Sequence, residues 1–444
     1  MTAFSIGRAD AALAAGDANA LALELAALYP HDPDVARARE FADFALHLGR
    51  RPSANSMFAS RFLDSIQDAR AALDGTPPRP ERSAMRIGRE LDFIGDYHGP
   101  AEWTIPQFLN QLLLRRIMPS RTACVVVAMR DDGIYILEWI AYYLELGFEH
   151  IFVYTNDNTD GSEELLRLLA ENGVITLIES ETSGKVAPEE KAYGHSIQLL
   201  LPIRDFQWVF YVDSDEFLAP GPDGGDSITT VIEDLHARFP ERMPTGICFA
   251  WRWMISDLIY AREPGLMIER FEHGKTHFMT KAMVRLDDVV SMRNSHYPVM
   301  YAGGFLVDSN FDRLPDDVSQ VWTQRRSQYA GGWLNHYWPR SFEEFAIKKA
   351  RARSLMLEEN LYDRPFELFF EWNDYETELN YHPVPAALIG KVKRRVGELR
   401  AIEGVAALAD RLDREFPALL NHYYGGGRQL RALYHRHQTA PSDL

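Results

Sequence analysis

Residues 123–155, ACVVVAMRDDGIYILEWIAYYLELGFEHIFVYT, decide the fold. The run 123–129 is almost wholly apolar, which suits a strand covered on both faces. Residues 134–147 repeat apolar side chains at helical spacing, and 150–154 is again a short apolar strand. The alternation continues with a helix over 162–173, a strand over 174–178, a helix over about 188–201 and a strand over 208–212. Strands alternating with amphipathic helices predict an α/β fold: a mostly parallel sheet flanked by helices. Ligands of such sheets bind beyond the carboxyl ends of the strands. Three of those ends carry polar clusters, namely Arg130-Asp131-Asp132, the stretch Thr155 to Asp160, and Asp213-Ser214-Asp215-Glu216.

Outside this core the chain changes texture. Residues 1–74 read as Ala-rich helices broken at Gly16-Asp17 and between Pro30 and Pro33, and they look like one tetratricopeptide-type unit. One such unit buries too little to stand alone, so it is expected to pack on the rest of the chain while offering a surface for protein contact. Residues 75–120 form a linker and mixed segment that opens with the Pro-rich Gly75–Ser83. The core spans 121–355, and 356–444 is a helical C-terminal extension.

The 444 residues carry 64 acidic and 47 basic side chains, a net charge of −17, which disfavours nucleic acid as a partner. From Ala330 onward the charges balance, 16 against 16, so the acidic excess lies earlier. Cys124 and Cys248 sit in apolar runs and read as buried thiols. No signal-like apolar block follows the N-terminus and no stretch reaches about 18 apolar residues, so a cytoplasmic location is expected. The basic run Lys391–Arg395 offers contact with the inner face of a membrane or an ordinary solvated surface. Heavy use of Ala, Arg and Asp gives a bacterial impression.

Asp213 and Asp215, two residues apart after an apolar strand, suit a hard divalent cation held by oxygen ligands. Arg130 and Asp132 line either a nucleotide loop or a soluble strand end. Asp160 or Ser162 suits a helix cap, which leaves Asp157 for ligand. Ser341 and Glu344 fit a capping box, so Glu344 reads as structural. His336 is a metal ligand or a buried histidine, and Lys348 faces a phosphate or solvent.

With these residues in hand, the chain resembles the family-2-like glycosyltransferases of the GT-A fold, nearest to the bacterial branch related to the family-92 galactosyltransferases. The resemblance rests on E-W-I-A-Y (138–142), V-D-S-D-E-F (212–217), Lys281–Arg285, His296-Tyr297-Pro298 and N-H-Y-W-P-R-S-F-E-E-F-A-I-K (335–348), across roughly 121–355. It implies a hexosyltransferase that uses Mn2+ or Mg2+ and inverts the anomeric centre. A UDP-sugar is the favoured donor, and the acceptor is a glycan, a lipid-linked molecule or a protein. Asp213, Asp215 and His336 match the metal site. Lys348 and Lys191 match donor-facing lysines, and His296 matches a histidine of unassigned role. The chain departs from the family at Asp131-Asp132 (usually Asn-Glu), Tyr143 (often His), Thr155-Asn156 (often paired aspartates that read the base) and Ala352 (usually Gly).

Asp257 is the candidate base, with Glu216 and Asp308 as rivals. Trp251 and Trp253 offer faces for a sugar. The rival functions are a nucleotide-sugar binder without transfer, a nucleotidyltransferase, and a scaffold built on residues 1–120 and the helices near 386–420.

Overall fold

Alternation along Arg121–Met129 makes this sheet two-sided. Ala123, Val125 and Val127 enter one apolar cluster, while Cys124 and Val126 enter another. The computed structural model of the protein describes residues 8, 11–12, 15–28, 57–75, 83–95, 105–181, 183–222, 227–292, 296–301, 303–315, 330–350, 366–373 and 380–438. Most of the helical pattern before residue 57, the Pro-rich 76–82 and Ala352 lie outside the described residues.

The strands are β1 (Ala84–Ile87), β2 (Arg121–Met129), β3 (His150–Thr155), β4 (Thr176–Ser180), β5 (Phe206–Tyr211), β6 (Glu216–Pro220) and β7 (Gly246–Met254). After these come β8 (His273–Arg285), β9 (Val289–Met292), β10 (Pro298–Met300), β11 (Leu306–Asp308), β12 (Gly332–His336) and β13 (Asn380–Tyr381). The main sheet runs β1-β4-β3-β2-β5-β8-β7-β12-β6, with β11 beside β7 and β13 beside β8. The first five strands on this path are mutually parallel. β8 is antiparallel to both β5 and β7, and β12 is parallel to β7. The carboxyl ends of β2, β3, β5, β7 and β12 therefore share one edge. β1 arises from the mixed segment 75–120 and extends the sheet beside β4.

Helices cover one face at Ile136–Glu145, Ser162–Glu171 and Ile228–Arg238, through Trp139, Leu165 and Val231 among others. The C-terminal helices Ala386–Arg400 and Val405–Tyr424 add Leu388, Val392 and Leu412 to the same cluster, so the extension is part of the core. The other face is covered by Pro188–Gln198 and the turn Arg89–Gly95. Gly194 permits that packing, since a Cβ there would lie 1.9 Å from the carbonyl oxygen of Ile94. Leu21, Ile66 and Ala69 from the N-terminal region cluster with Leu113, Leu114 and Val290. Both cysteines are buried and unbridged.

Lys393 pairs with Glu269, and Arg394 and Arg395 pair with Glu145, so three members of the basic run face the protein's own carboxylates. No described helix is long and apolar enough to cross a membrane.

The capping box is formed: the Ser341 hydroxyl and N–H both donate to Glu344, and the Glu344 N–H donates back to Ser341 Oγ at 3.3 Å. The same carboxylate accepts from Tyr135 Oη at 2.8 Å and from both terminal nitrogens of Arg270 at 2.8 and 3.0 Å. Burial alone raises the Glu344 carboxyl, but Arg270 and the Ser341 hydrogen bonds outweigh it and hold the pKa down at about 2. A pKa below the ordinary 4.5 gives stability that is complete above that value and is lost as pH falls toward 2. Glu344→Ala strands a buried arginine and is expected to cost about 3–5 kcal/mol in denaturant unfolding at neutral pH. Glu344→Gln should flatten the loss of stability between pH 4.5 and 2.

Candidate active site

Beyond β5 the chain turns through Asp213, Ser214 and Asp215 directly into β6, and the buried helix Ile136–Glu145 clamps this turn. Trp139 Nε1 donates to the carbonyl oxygens of Asp213 (3.2 Å) and Glu216 (3.1 Å). Tyr143 Oη donates to Glu216 O at 3.0 Å and Tyr142 Oη to Leu218 O at 2.8 Å. Tyr143 thus has a definite task in holding the turn. Glu138 anchors the helix start by accepting the N–H groups of Met267 and Ile268 at 2.8 and 3.0 Å. Its burial pushes the carboxyl up to about 7.

Each carboxylate of the turn meets a lysine. Lys281 on β8 is fully buried and donates to Asp213 Oδ1 at 2.9 Å, with Glu189 Oε1 at 3.6 Å. Burial and the charge of Asp213 raise Glu189 to about 7, and Lys281 opposes them. Glu216 is driven well above the carboxylate range by burial and by Asp213, and it accepts the Asp213 N–H at 2.9 Å. Lys348 reaches Asp215 from the helix Phe342–Ala350, and His336 Nε2 stands 3.4 Å from Asp215 Oδ2. Burial works against ionised Asp215, yet Lys348, His336 and Arg340 hold its pKa well below the usual range.

Above the turn, Ser214 Oγ donates to Asp132 Oδ2 at 2.6 Å, and Arg340 Nη1 lies 4.0 Å from Asp132 Oδ1. Arg340 also stacks over the Tyr135 ring at 3.7 Å. Asp131 joins the β2 and β3 loops: its N–H donates to Asn158 Oδ1 at 2.8 Å, and its carboxylate accepts from the N–H groups of Thr159 and Asp160. Asp131, Asp157 and Arg340 all hold positive φ, at 53°, 45° and 52°. Strained backbone of this kind persists where surrounding contacts over-determine it. A cavity of about 70 Å³ lies between these loops, lined by Asp131, Asp160, Arg340 and Lys348 and roofed by Leu412 and Phe416 of the C-terminal helix.

The structure therefore brings Asp132, Asp213, Asp215, His336 and Lys348 together. Arg130 lies at the same strand edge, 3.9 Å from Asp131 through Nε. Asp157 is exposed, and its carboxylate accepts from Asn156 Nδ2 at 3.0 Å. Asp160 accepts from the N–H groups of Ser162 and Gly133, both at 2.9 Å, but the helix's N-cap is Gly161, which lies between the two residues expected to cap it.

Lys191 stands apart from the cluster. It is fully buried, and its amine donates to Gly88 O, Asp92 Oδ1 and Glu181 O, so it braces those segments instead of facing a donor. Trp253 has no face for a sugar, because it is sandwiched between His277 (centroids 3.9 Å) and Trp372 (3.7 Å). Trp251 packs on His336 at 4.3 Å and on His296 at 5.5 Å. His296 Nδ1 bonds to Thr280 O at 2.8 Å. Asp257 follows β7 at a φ of 50°, with a half-exposed side chain 3.6 Å from His273 Nδ1. Of its rivals, Glu216 is buried under Asp213, and Asp308 closes its own turn by accepting from the N–H groups of Asn310 and Asp312.

Asp215 and His336 supply the oxygen and nitrogen donor types that take a divalent cation. His336 Nδ1 is buried with no hydrogen-bond partner. Among the described residues no three His, Cys, Asp or Glu side chains form a ready cation cage, and Lys281 and Lys348 stand as counter-ions instead.

Sequence reading missed the parts played by Lys281, Glu189 and Arg340. An isolated lysine in a strand or arginine before a helix carries no local signal; strand pairing brings Lys281 to the acidic turn, and the packing of a helix and a loop brings Glu189 and Arg340.

Comparison with known proteins adds an independent line. The family model for glycosyltransferase family 92 matches residues 122–359. A glycosyltransferase family 92 protein of Oryza sativa subsp. japonica is 26% identical over 99 residues, 22% of this chain, and the chain spans only 16% of that relative's length. Among solved structures, S. aureus TarS aligns with 71% of this chain and 54% of its own at 11% identity and a TM-score of 0.25. A shorter TarS, residues 1–349, aligns over 91% of its length at 11% identity and a TM-score of 0.26. With more than half of its residues matched in one continuous span, the chain belongs to glycosyltransferase family 92.

Proposed function

We propose that this chain transfers a hexose from a nucleotide-sugar, a UDP-sugar by preference, to an acceptor hydroxyl with inversion at the anomeric carbon. One observation carries the reading: Asp213, Asp215, His336, Lys348 and Arg340 meet at the carboxyl edge of the sheet, where a diphosphate would find both cationic partners and cation ligands. Arg130, Asp132 and Asp157 are the proposed donor-side loop residues. The acceptor oxygen attacks the anomeric carbon, the bond from that carbon to the diphosphate breaks, and the diphosphate leaves with the electron pair. The acceptor proton passes to Asp257, whose half-exposed carboxylate can meet an incoming hydroxyl. Lys348 and Arg340 would stabilise the charge that develops on the leaving group. A Mn2+ or Mg2+ ion held by Asp213, Asp215 and His336 would neutralise charge on the diphosphate.

The lysine on each aspartate favours a second reading, in which Lys281 and Lys348 serve as the cations and no metal is needed. Nucleotide release from a panel of nucleotide-sugars separates the two. Turnover with manganese that EDTA abolishes and fresh manganese restores is the expected result. Turnover unaffected by EDTA would favour the lysines. Manganese-dependent thermal stabilisation by UDP or GDP without turnover on any donor would leave a binding protein and overturn transfer.

Asp257→Asn is expected to lower kcat by about 10²–10⁴-fold, with KM for the donor little changed. Asp215→Ala should abolish turnover. Full activity in Asp257→Asn beside a dead Asp215→Ala would move the base elsewhere.

A further inference from the structure

A second cavity, of about 220 Å³, lies on the side of β12 away from His336, because consecutive strand residues face opposite sides. Its lining includes Arg252, Trp333, Asn335, Tyr381 and His382. Arg252 is only 8% exposed. Its guanidinium lies over the Trp333 ring at 4.7 Å, and Nη1 donates to Asn335 Oδ1 at 3.3 Å. The Nε–H is buried and has no acceptor.

Other buried arginines of this chain face carboxylates: Arg204 has Asp287 at 3.8 Å, Arg270 has Glu344 at 2.8 Å and Arg340 has Asp132 at 4.0 Å. Arg252 has no carboxylate partner among the described residues, and burial pulls its pKa down to about 10. A buried charge without a counter-ion is costly and is retained where something else compensates it. His382 Nε2, also buried and without a partner, lines the same cavity. Stacking on Trp333 occupies a face of the guanidinium and leaves its in-plane donors, the geometry that takes two oxygens of one anion.

We infer that this cavity binds a small oxyanion, a carboxylate or a phosphate monoester, edge-on to Arg252 with His382 as second donor. The site is separate from the Asp213–Asp215 cluster and does not depend on the transferase reading.

The full-length chain is titrated with inorganic phosphate and with glucuronate in thermal-shift and calorimetric experiments. Sodium chloride at matched ionic strength and glucose serve as controls. A saturable rise in Tm with one or both anions, absent with the controls, is expected, and the anion that produces it distinguishes a phosphate source from a carboxylate source. Arg252→Met should abolish the rise. Arg252→Lys should bind at least tenfold more weakly. Two results would overturn the inference: no saturable shift in the wild type, or a shift that persists in Arg252→Met and so arises at Lys348 and Arg340. If that variant fails to fold, Arg252→Lys decides, and an affinity equal to the wild type's overturns the inference.

Discussion

Four acidic side chains, Asp213, Asp215, Glu216 and Glu189, converge at the end of β5, and three of them are buried. Carboxylates in a low-dielectric surround repel one another and shed their charge unless cations stand beside them. Lys281 answers this from β8, contacting Asp213 and Glu189 at once, and Lys348 answers it for Asp215. The response is graded. Asp215 stays ionised, whereas Glu189 and Glu216 are pushed toward the neutral form. The turn therefore favours charge at Asp215 and disfavours it on the glutamates beneath.

The sheet order follows from the same requirement. Lys281 reaches Asp213 because β8 inserts antiparallel beside β5, and His336 reaches Asp215 because β12 pairs with β6, placing His336 opposite Glu216. The helix Ile136–Glu145 holds the backbone of the turn from the other side through three aromatic donors. The turn is thus fixed by hydrogen bonds to its carbonyls and by ion pairs to its side chains. Those two sets of contacts come from elements far apart in the chain.

Much of this was legible beforehand. The strands at 123–129, 150–154 and 208–212 and the helices at 134–147 and 162–173 lie where their apolar periods place them, give or take a few residues. Asp213 and Asp215 were marked by their place after an apolar strand and His336 by the family resemblance alone, and the structure sets His336 beside Asp215. Lys191 was misread because a lysine on the right helix carries no mark of the direction in which it points; its amine turns toward Gly88, Asp92 and Glu181. The tryptophans of β7 were misread for a similar reason. Trp372, which covers Trp253, comes from a helix more than a hundred residues later.

Local sequence determined the parallel core, the acidic turn and the capping box at Ser341, because each depends on apolar period or on neighbours within four residues. Tertiary structure alone decided which cation faces which carboxylate, which aromatic faces remain open, and that Arg252 meets no carboxylate among the described residues. Those outcomes depend on strand register and on packing between distant segments. A charged residue's chemistry is set by the groups brought against it, and one sequence read along its length does not state that arrangement.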